Sequence, residues 1–353
     1  MNGSSHSAPI CTDALVIGAG PVGLFQAFQL GLQGIACHIV DALPHVGGQC
    51  VELYADKPIY DIPGIEVCTG RELIERLQKQ IAPFHPTLHL NQLVASVQPT
   101  DDGQWSVRTD QGTQWLAKTV FLAAGVGAFV PRSLVIEGIE PHLSRQDPSP
   151  RQVWFGSQTL PSFAGQRLVV TGDTDAALQI CLDAVGHAKR VHLMHRRDQF
   201  HAEPALRAAF DAARAAGHIH FIAGQPTGVS GTPAHLQGLT YLDGNGQTQT
   251  LDCDQLVMAL GLSPKLGPIA QWGLQIERKQ VVVDTATFAT SAAGIYAVGD
   301  INTYAGKKKL ILCGFHEATL AAFAAAARLW PDDKPLLQYT TTSTLLHKRL
   351  GVA

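Results

Sequence analysis

Gly18, Gly20 and Gly23 stand in the run Gly-Ala-Gly-Pro-Val-Gly, directly behind the short, mostly apolar stretch 13–17. Residues 25–32 follow with helical spacing, 35–40 form a second apolar run, and Asp41 comes 23 residues after the first glycine. Strand, glycine turn, helix, strand and distal acid is the pattern of a dinucleotide-binding βαβ unit. The first glycine permits the tight turn, the second lets a pyrophosphate approach the backbone, and the third lets helix and strand pack closely. The helix start offers free N–H groups and the positive end of its dipole to phosphate. Asp41 is placed to accept hydrogen bonds from ribose hydroxyls.

A second, degenerate copy of this pattern begins at Arg167. Residues 168–170 are apolar, Gly172-Asp173-Thr174-Asp175-Ala176-Ala177 replaces the glycine run, and 191–194 form the next strand. Arg196 and Arg197 then occupy the place of the acid. A carboxylate suits a free 2′-hydroxyl, whereas arginine suits a 2′-phosphate. The chain is therefore expected to carry two dinucleotide sites with different preferences. Thr174 and Asp173 stand where a phosphate would approach the second turn, and are expected to weaken binding there.

The elements around these turns are legible. Thr69-Gly70-Arg71-Glu72 is a capping box opening a helix with Leu73, Ile74, Leu77 and Ile81 on one face. Residues 105–109 and 115–122 read as strands joined through Asp110-Gln111-Gly112. Prolines 131, 141, 148, 150 and 161 punctuate a crossing between domains. Residues 294–298 read as a strand running into Gly299-Asp300, an acid placed to bind a polyol. Residues 315–329 form an Ala-rich helix. At 353 residues with a formal charge of −3, the chain suits two domains and makes nucleic acid an unlikely partner. No stretch approaches the roughly 20 apolar residues of a membrane span, and no signal peptide is indicated. Seven cysteines without a C-x-x-C suit a reducing cytoplasm and offer neither a redox dithiol nor a metal site.

On the first glycine run, Gly47-Gly48-Gln49, Ala123-Ala124-Gly125, His195-Arg196-Arg197 and Gly299-Asp300, the chain resembles the two-dinucleotide-binding flavoproteins of thioredoxin reductase architecture. The match spans about residues 13–345. Thioredoxin reductase activity itself is not implied, because 153–165 lacks the cysteine pair. Gln49-Cys50-Val51-Glu52-Leu53-Tyr54, Ile59-Tyr60-Asp61-Ile62-Pro63-Gly64, Gly299-Asp300-Ile301-Asn302-Thr303-Tyr304 and Tyr339-Thr340-Thr341-Thr342-Ser343 resemble the thioredoxin-reductase-like ferredoxin–NADP reductases most closely.

That resemblance implies an α/β fold of two Rossmann-like domains, the NADPH domain inserted into the FAD domain. The expected boundaries are a tail at 1–12, an FAD domain at 13–130 and 284–353, and an NADPH domain at 131–283. Asp41 would hold the adenosine ribose of FAD, Gln49 and Tyr54 the flavin end, with Tyr54 stacked on the isoalloxazine. Val94 and Phe129 would line the site, Asp300 would bind the ribityl chain, and Thr341 would approach the ring. Gly172, Arg196 and Arg197 would serve NADPH. A hydride would pass to flavin N5 and single electrons to ferredoxin or flavodoxin, in a cytoplasmic homodimer. Lys307, Lys308 and Lys309 are expected to help dock that acidic partner. Two other readings stay open: a diaphorase for free flavins or quinones, and a flavin-binding sensor with impaired NADPH use.

Overall fold

The apolar run before the first glycines extends further upstream than its hydropathy indicates. In the computed structural model, which describes residues 8–143, 151–156, 160–232, 234–333 and 337–352, strand β1 covers Ile10–Ile17. Residues 10–12, expected in the tail, are thus paired in a sheet, Ile10 opposite Trp115. Chain order continues with α1 (Pro21–Gln33), β2 (Cys37–Val40), α2 (Gly70–Ile81), β3 (Thr87–His89), β4 (Val94–Pro99), β5 (Trp105–Thr109) and β6 (Gln114–Leu122). Next come β7 (Val153–Phe155), β8 (Arg167–Thr171), α3 (Asp175–Ala184), β9 (Arg190–His195) and α4 (Pro204–Ala215). Strands β10 (Ile219–Thr232), β11 (His235–Asp243), β12 (Thr248–Asp252) and β13 (Gln255–Met258) follow, then β14 (Ile295–Ala297), α5 (Ile311–Leu329) and α6 (Thr344–Leu350).

The chain divides into two compact units, Met1–Ala128 with Pro264–Ala353, and Phe129–Ser263. The second unit is an insertion, as expected, but its exit lies at Ser263/Pro264 rather than at 283. Residues 264–283 are expected within the NADPH domain. Instead Val281 pairs with Asn302, and Ile269, Trp272 and Leu274 join the core of the first unit.

In the first unit the sheet order is β3-β2-β1-β6-β5-β4, with β14 beside the far end of β6. Strands β3, β2, β1, β6 and β14 are parallel, while β4, β5 and β6 form an antiparallel meander. Parallel strands covered on both faces read as continuous apolar runs, as 14–17 and 119–122 nearly do. α1 buries Leu24, Ala27 and Leu30, and α5 buries Ala318, Ala321, Ala322 and Ala325. Small residues along α5 suit close approach to α1. α2 starts at the Thr69–Glu72 capping box, with both reciprocal bonds formed.

In the second unit the order is β7-β13-β8-β9-β10-β11-β12, with β10, β11 and β12 antiparallel. Alternate residues of β8 feed two separate cores. Leu168 and Val170 pack with Leu178 and Phe210 on the helix side, and Val169 packs with Leu239 and Met258 on the other. Among the described residues, no helix is long and apolar enough to cross a membrane, and no group of three His, Cys, Asp or Glu side chains is placed to hold a metal.

Candidate functional site: two glycine turns

The first turn sits between β1 and α1. Gly18 has φ +114°, and a Cβ there would stand 2.4 Å from Ala123 O at the end of β6. A Cβ on Gly23 would stand 1.8 Å from Gly18 O. Both positions therefore require glycine for packing alone. Gly20 differs: an added Cβ meets nothing within 4 Å, so the ground ahead of α1 is open. Gly20 is also the N-cap of α1, with no capping side chain and no acid in the first turn. The helix start is thus left with N–H groups available to an anion.

Asp41 lies half-buried against this turn. Its Oδ2 accepts from Ala19 N–H at 2.6 Å and its Oδ1 from Leu43 N–H at 2.8 Å. Burial pushes the carboxyl above its ordinary range, opposed by the two N–H bonds. A carboxylate offers about four acceptor positions, so two remain for hydroxyls. Gly47 N–H donates to Ala19 O, and Gly48, at φ 50°, lies so close to Gly20 that its Cβ would come within 3.2 Å of Gly20 Cα. The loop carrying Gln49 is thereby laid against the glycine turn.

Gln49 Nε2 donates to Asp300 Oδ2 at 3.4 Å, and a Cβ on Gly125 would come 3.2 Å from that nitrogen. Tyr54 stands one helical turn beyond Cys50, whose thiol donates to Tyr54 Oη at 3.5 Å. Burial, then Cys50 and Asp300, push the Tyr54 hydroxyl pKa well up. The structure therefore gathers Gly18, Gly20, Gly23, Asp41, Gln49, Tyr54 and Asp300 in one unit. Val94 is buried two residues beyond Gln92, whose N–H donates to Asp41 O. Phe129 lies in the strand Ala128–Pro131, and its side chain falls outside the described residues. Thr341 is not brought to the group. It is exposed in the turn before α6, and Arg349 of α6 donates to Leu32 O at the opposite end of α1 from Gly20.

The residue that sequence reasoning missed is Glu317. It is 0% exposed inside α5 and accepts from Gly299 N–H at 2.7 Å, Asn302 Nδ2 at 2.8 Å and Tyr304 Oη at 3.0 Å. Lys307 closes the network, pairing with Glu317 and donating to Gly299 O at 2.9 Å. Both backbone groups of Gly299 are thus captured, which fixes the turn presenting Asp300. Gly299 also packs on Val22 of the first turn. This corrects the expectation for Lys307: its side chain is only 7% exposed and structural, while Lys308 and Lys309 are exposed.

The second turn repeats the construction. Gly172 has φ +151°, and a Cβ there would stand 2.3 Å from Ala259 O, just past β13. Ala177 takes the third glycine's place, fully buried. Thr174 caps α3 in extended conformation without a side-chain bond. The Asp173 carboxylate accepts from His201 Nδ1 at 3.0 Å and has His195 Nε2 at 3.9 Å. Arg196 and Arg197 are exposed on the loop after β9, and neither guanidinium has a partner among the described residues.

Comparison with known proteins gives the family and the fold. The model of the pyridine nucleotide-disulphide oxidoreductase family matches residues 12–325. A ferredoxin–NADP reductase of Acidovorax sp. (strain JS42) is 58% identical, covering 99% of this chain and 98% of its own. One from Paracidovorax citrulli (strain AAC00-1) is 57% identical, over 97% and 96%. Among solved structures, the bacillithiol disulfide reductase of Staphylococcus aureus superposes with TM-score 0.59 at 15% identity, over 92% of this chain and all of that one. The thioredoxin reductase of T. acidophilum does so with TM-score 0.53 at 20% identity, over 90% and 99%. At such identities these two speak for the fold alone.

Proposed function

The chain belongs to the pyridine nucleotide-disulphide oxidoreductase family and, within it, to the ferredoxin–NADP reductases, and from that premise we propose how its two units divide the work. It is a flavoprotein oxidoreductase that moves electrons between NADPH and ferredoxin through FAD. Bound FAD supplies the exchange between a two-electron hydride and single electrons.

The first unit holds FAD. The open ground at Gly20 takes the pyrophosphate on the N–H groups of α1, Asp41 accepts from the adenosine ribose, and Val94 lines that end. Gln49 and Asp300 address the polyol and ring, with Tyr54 against the isoalloxazine. The second unit takes NADPH at Gly172, with Arg196 and Arg197 on the 2′-phosphate. Charge-assisted, bidentate bonds are what guanidinium offers a phosphate. The observation that carries this division is the pairing of two turns of one construction with opposite charges after them: a carboxylate behind the first, and behind the second two guanidiniums without a partner among the described residues.

We read the working form as a cytoplasmic homodimer. The seven cysteines are all free, as suits a reducing compartment. Thr341 stands apart from Tyr54 within one chain, so a segment from a second copy is the available cover for that face. Sedimentation equilibrium giving a monomer would count against the dimer. The function is tested by mixing FAD-loaded protein anaerobically with NADPH or NADH and then ferredoxin or flavodoxin. Flavin bleaching by NADPH in preference to NADH, followed by reduction of the carrier, is expected. An unbleached flavin would make the protein a sensor, and reduction of quinones or free flavins alone would make it a diaphorase.

A further inference from the structure

The loop between β9 and α4 carries Arg196 and Arg197, and it is pinned nearly everywhere except at those two side chains. His195 Nδ1–H donates to Arg197 O at 2.9 Å. Asp198 takes both of its bonds from Arg214 of α4, each at 2.9 Å. Phe200 packs on Phe210 and Phe221. At the far end the loop is tied to the second glycine turn itself. His201 N–H donates to Asp173 O at 2.7 Å, His201 Nδ1–H to the Asp173 carboxylate, and Glu203 N–H to Asp175 Oδ1 at 2.8 Å.

Of the four arginines between 196 and 214, Arg207 and Arg214 are committed to Asp211 and Asp198. The two left without a partner among the described residues are those on the pinned loop. Resting on the NADPH reading of this unit, we infer that Asp173 is a positioning residue: it joins the Arg196–Arg197 loop to the Gly172 turn and so sets the preference for a 2′-phosphorylated adenosine. A loop free to wander would lose affinity to the ordering of two long side chains on binding. A loop fixed to the turn that faces the 5′-phosphates holds both guanidiniums at a set distance from them. The Asp173 carboxylate meanwhile faces imidazoles, His201 in contact and His195 near it, so the charge that would oppose a phosphate is turned to a structural use.

The test uses the FAD-loaded protein with adenosine 2′,5′-bisphosphate and 5′-AMP as calorimetric probes, alongside kcat/KM for NADPH and NADH. Asp173→Ala is expected to weaken the bisphosphate and NADPH about three- to tenfold relative to 5′-AMP and NADH. Asp173→Asn, which keeps an acceptor for His201, is expected to restore both. Tighter binding of all ligands by Asp173→Ala would show that the carboxylate acts by repulsion. Equal weakening of all of them would show a general collapse of the turn. Failure of Asp173→Asn to rescue would show that charge rather than the bond matters. Each overturns the inference. Arg196→Ala separates it from the reading beneath: if that variant discriminates the probes and Asp173→Ala does not, only the positioning role falls. If Arg196→Ala treats all ligands alike, the 2′-phosphate site itself falls.

Discussion

The two glycine turns are built alike where packing is at stake and differently where a ligand would touch. In each, the first glycine has positive φ and lies against a carbonyl of the neighbouring strand's end, Ala123 O for Gly18 and Ala259 O for Gly172. In each, that neighbouring residue's N–H returns a bond to the turn's own strand, Ala123 to Ile17 and Ala259 to Thr171, both at 2.8 Å. The third position is a buried small residue, Gly23 or Ala177. Only the middle position departs, open glycine in one and threonine in the other. The first and third positions thus answer to the protein's own backbone, and the second to whatever is bound. Their supports differ too. The first turn is backed through Val22 and Gly299 by a buried carboxylate–ammonium pair, and the second is held by half-exposed Asp–His contacts.

The largest effect is expected from the backing of the first turn. Lys307→Met leaves Glu317 charged and unpaired in the interior, a loss of about 3–5 kcal/mol. Thermal melting should show a fall that added FAD partly reverses, since ligand binding to the folded state stabilises it. A melting point equal to wild type would mean that the pair contributes nothing to this turn. Next, Gly23→Ala forces a Cβ onto Gly18 O and is expected to cost about 3 kcal/mol. Its counterpart Ala177→Gly, a helix glycine, is expected to cost about 1 kcal/mol. If denaturant titration reverses that order, the shared construction is the wrong frame.

Acid should separate the units further. Each sheet carries a histidine pair at equivalent strands, His38 with His89 and His192 with His220. Burial, then His220 and Arg190, lower His192 to about 4 from an ordinary value of 6.5. A histidine held neutral in the fold binds a proton only on unfolding. Its contribution is therefore full above pH 6.5, declines as pH falls, and is lost below about pH 4. At about 1.4 kcal/mol per pKa unit, up to about 3 kcal/mol should go over that window, and His192→Asn should flatten it. Hydrogen exchange resolved by segment would show whether the second unit loosens first. The smallest effect is expected at the middle position of the second turn. Thr174→Gly opens the ground before α3 and should lower the NADPH KM about two- to threefold, within the 1 kcal/mol range of a single neutral contact. A raised KM would mean that the threonine hydroxyl serves the ligand.

Much of this was legible because the signals are local. The first glycine run and the Thr69–Glu72 box are each set within a few residues by backbone and hydrogen-bond geometry, the distal acid by the fixed length of the βαβ unit, and they appear as read. Strands 105–109 and 114–122 follow from alternation and a turn. What escaped depends on distance in sequence. Lys307 sits in a lysine run that hydropathy reads as solvated, and its partner is ten residues on, within a helix whose alanines mark it only as buried. The exit at Ser263 escaped because residues 264–283 are apolar enough for either core, and only pairing with the 302–303 strand assigns them. Asp173 reads as a misplaced charge until His201, 28 residues later, is folded against it.

The captured Gly299 also governs when the first turn becomes usable during synthesis. Val22 needs Gly299 and Gly314 behind it, and the far end of β6 needs β14 beside it. Ribosomes need roughly 10–30 s to add the stretch between Leu122 and Ile295. Within that interval the inserted unit is already complete in sequence, while the nascent first unit waits with residues 120–122 lacking one neighbour. An unpaired strand edge is an invitation to wrong partners. Folding of the insertion within that interval would draw the ends of the long loop together and shorten the search that β14 must make. The first glycine turn is thus completed only by residues from 295 onward, although its signature is written within the first 41 residues.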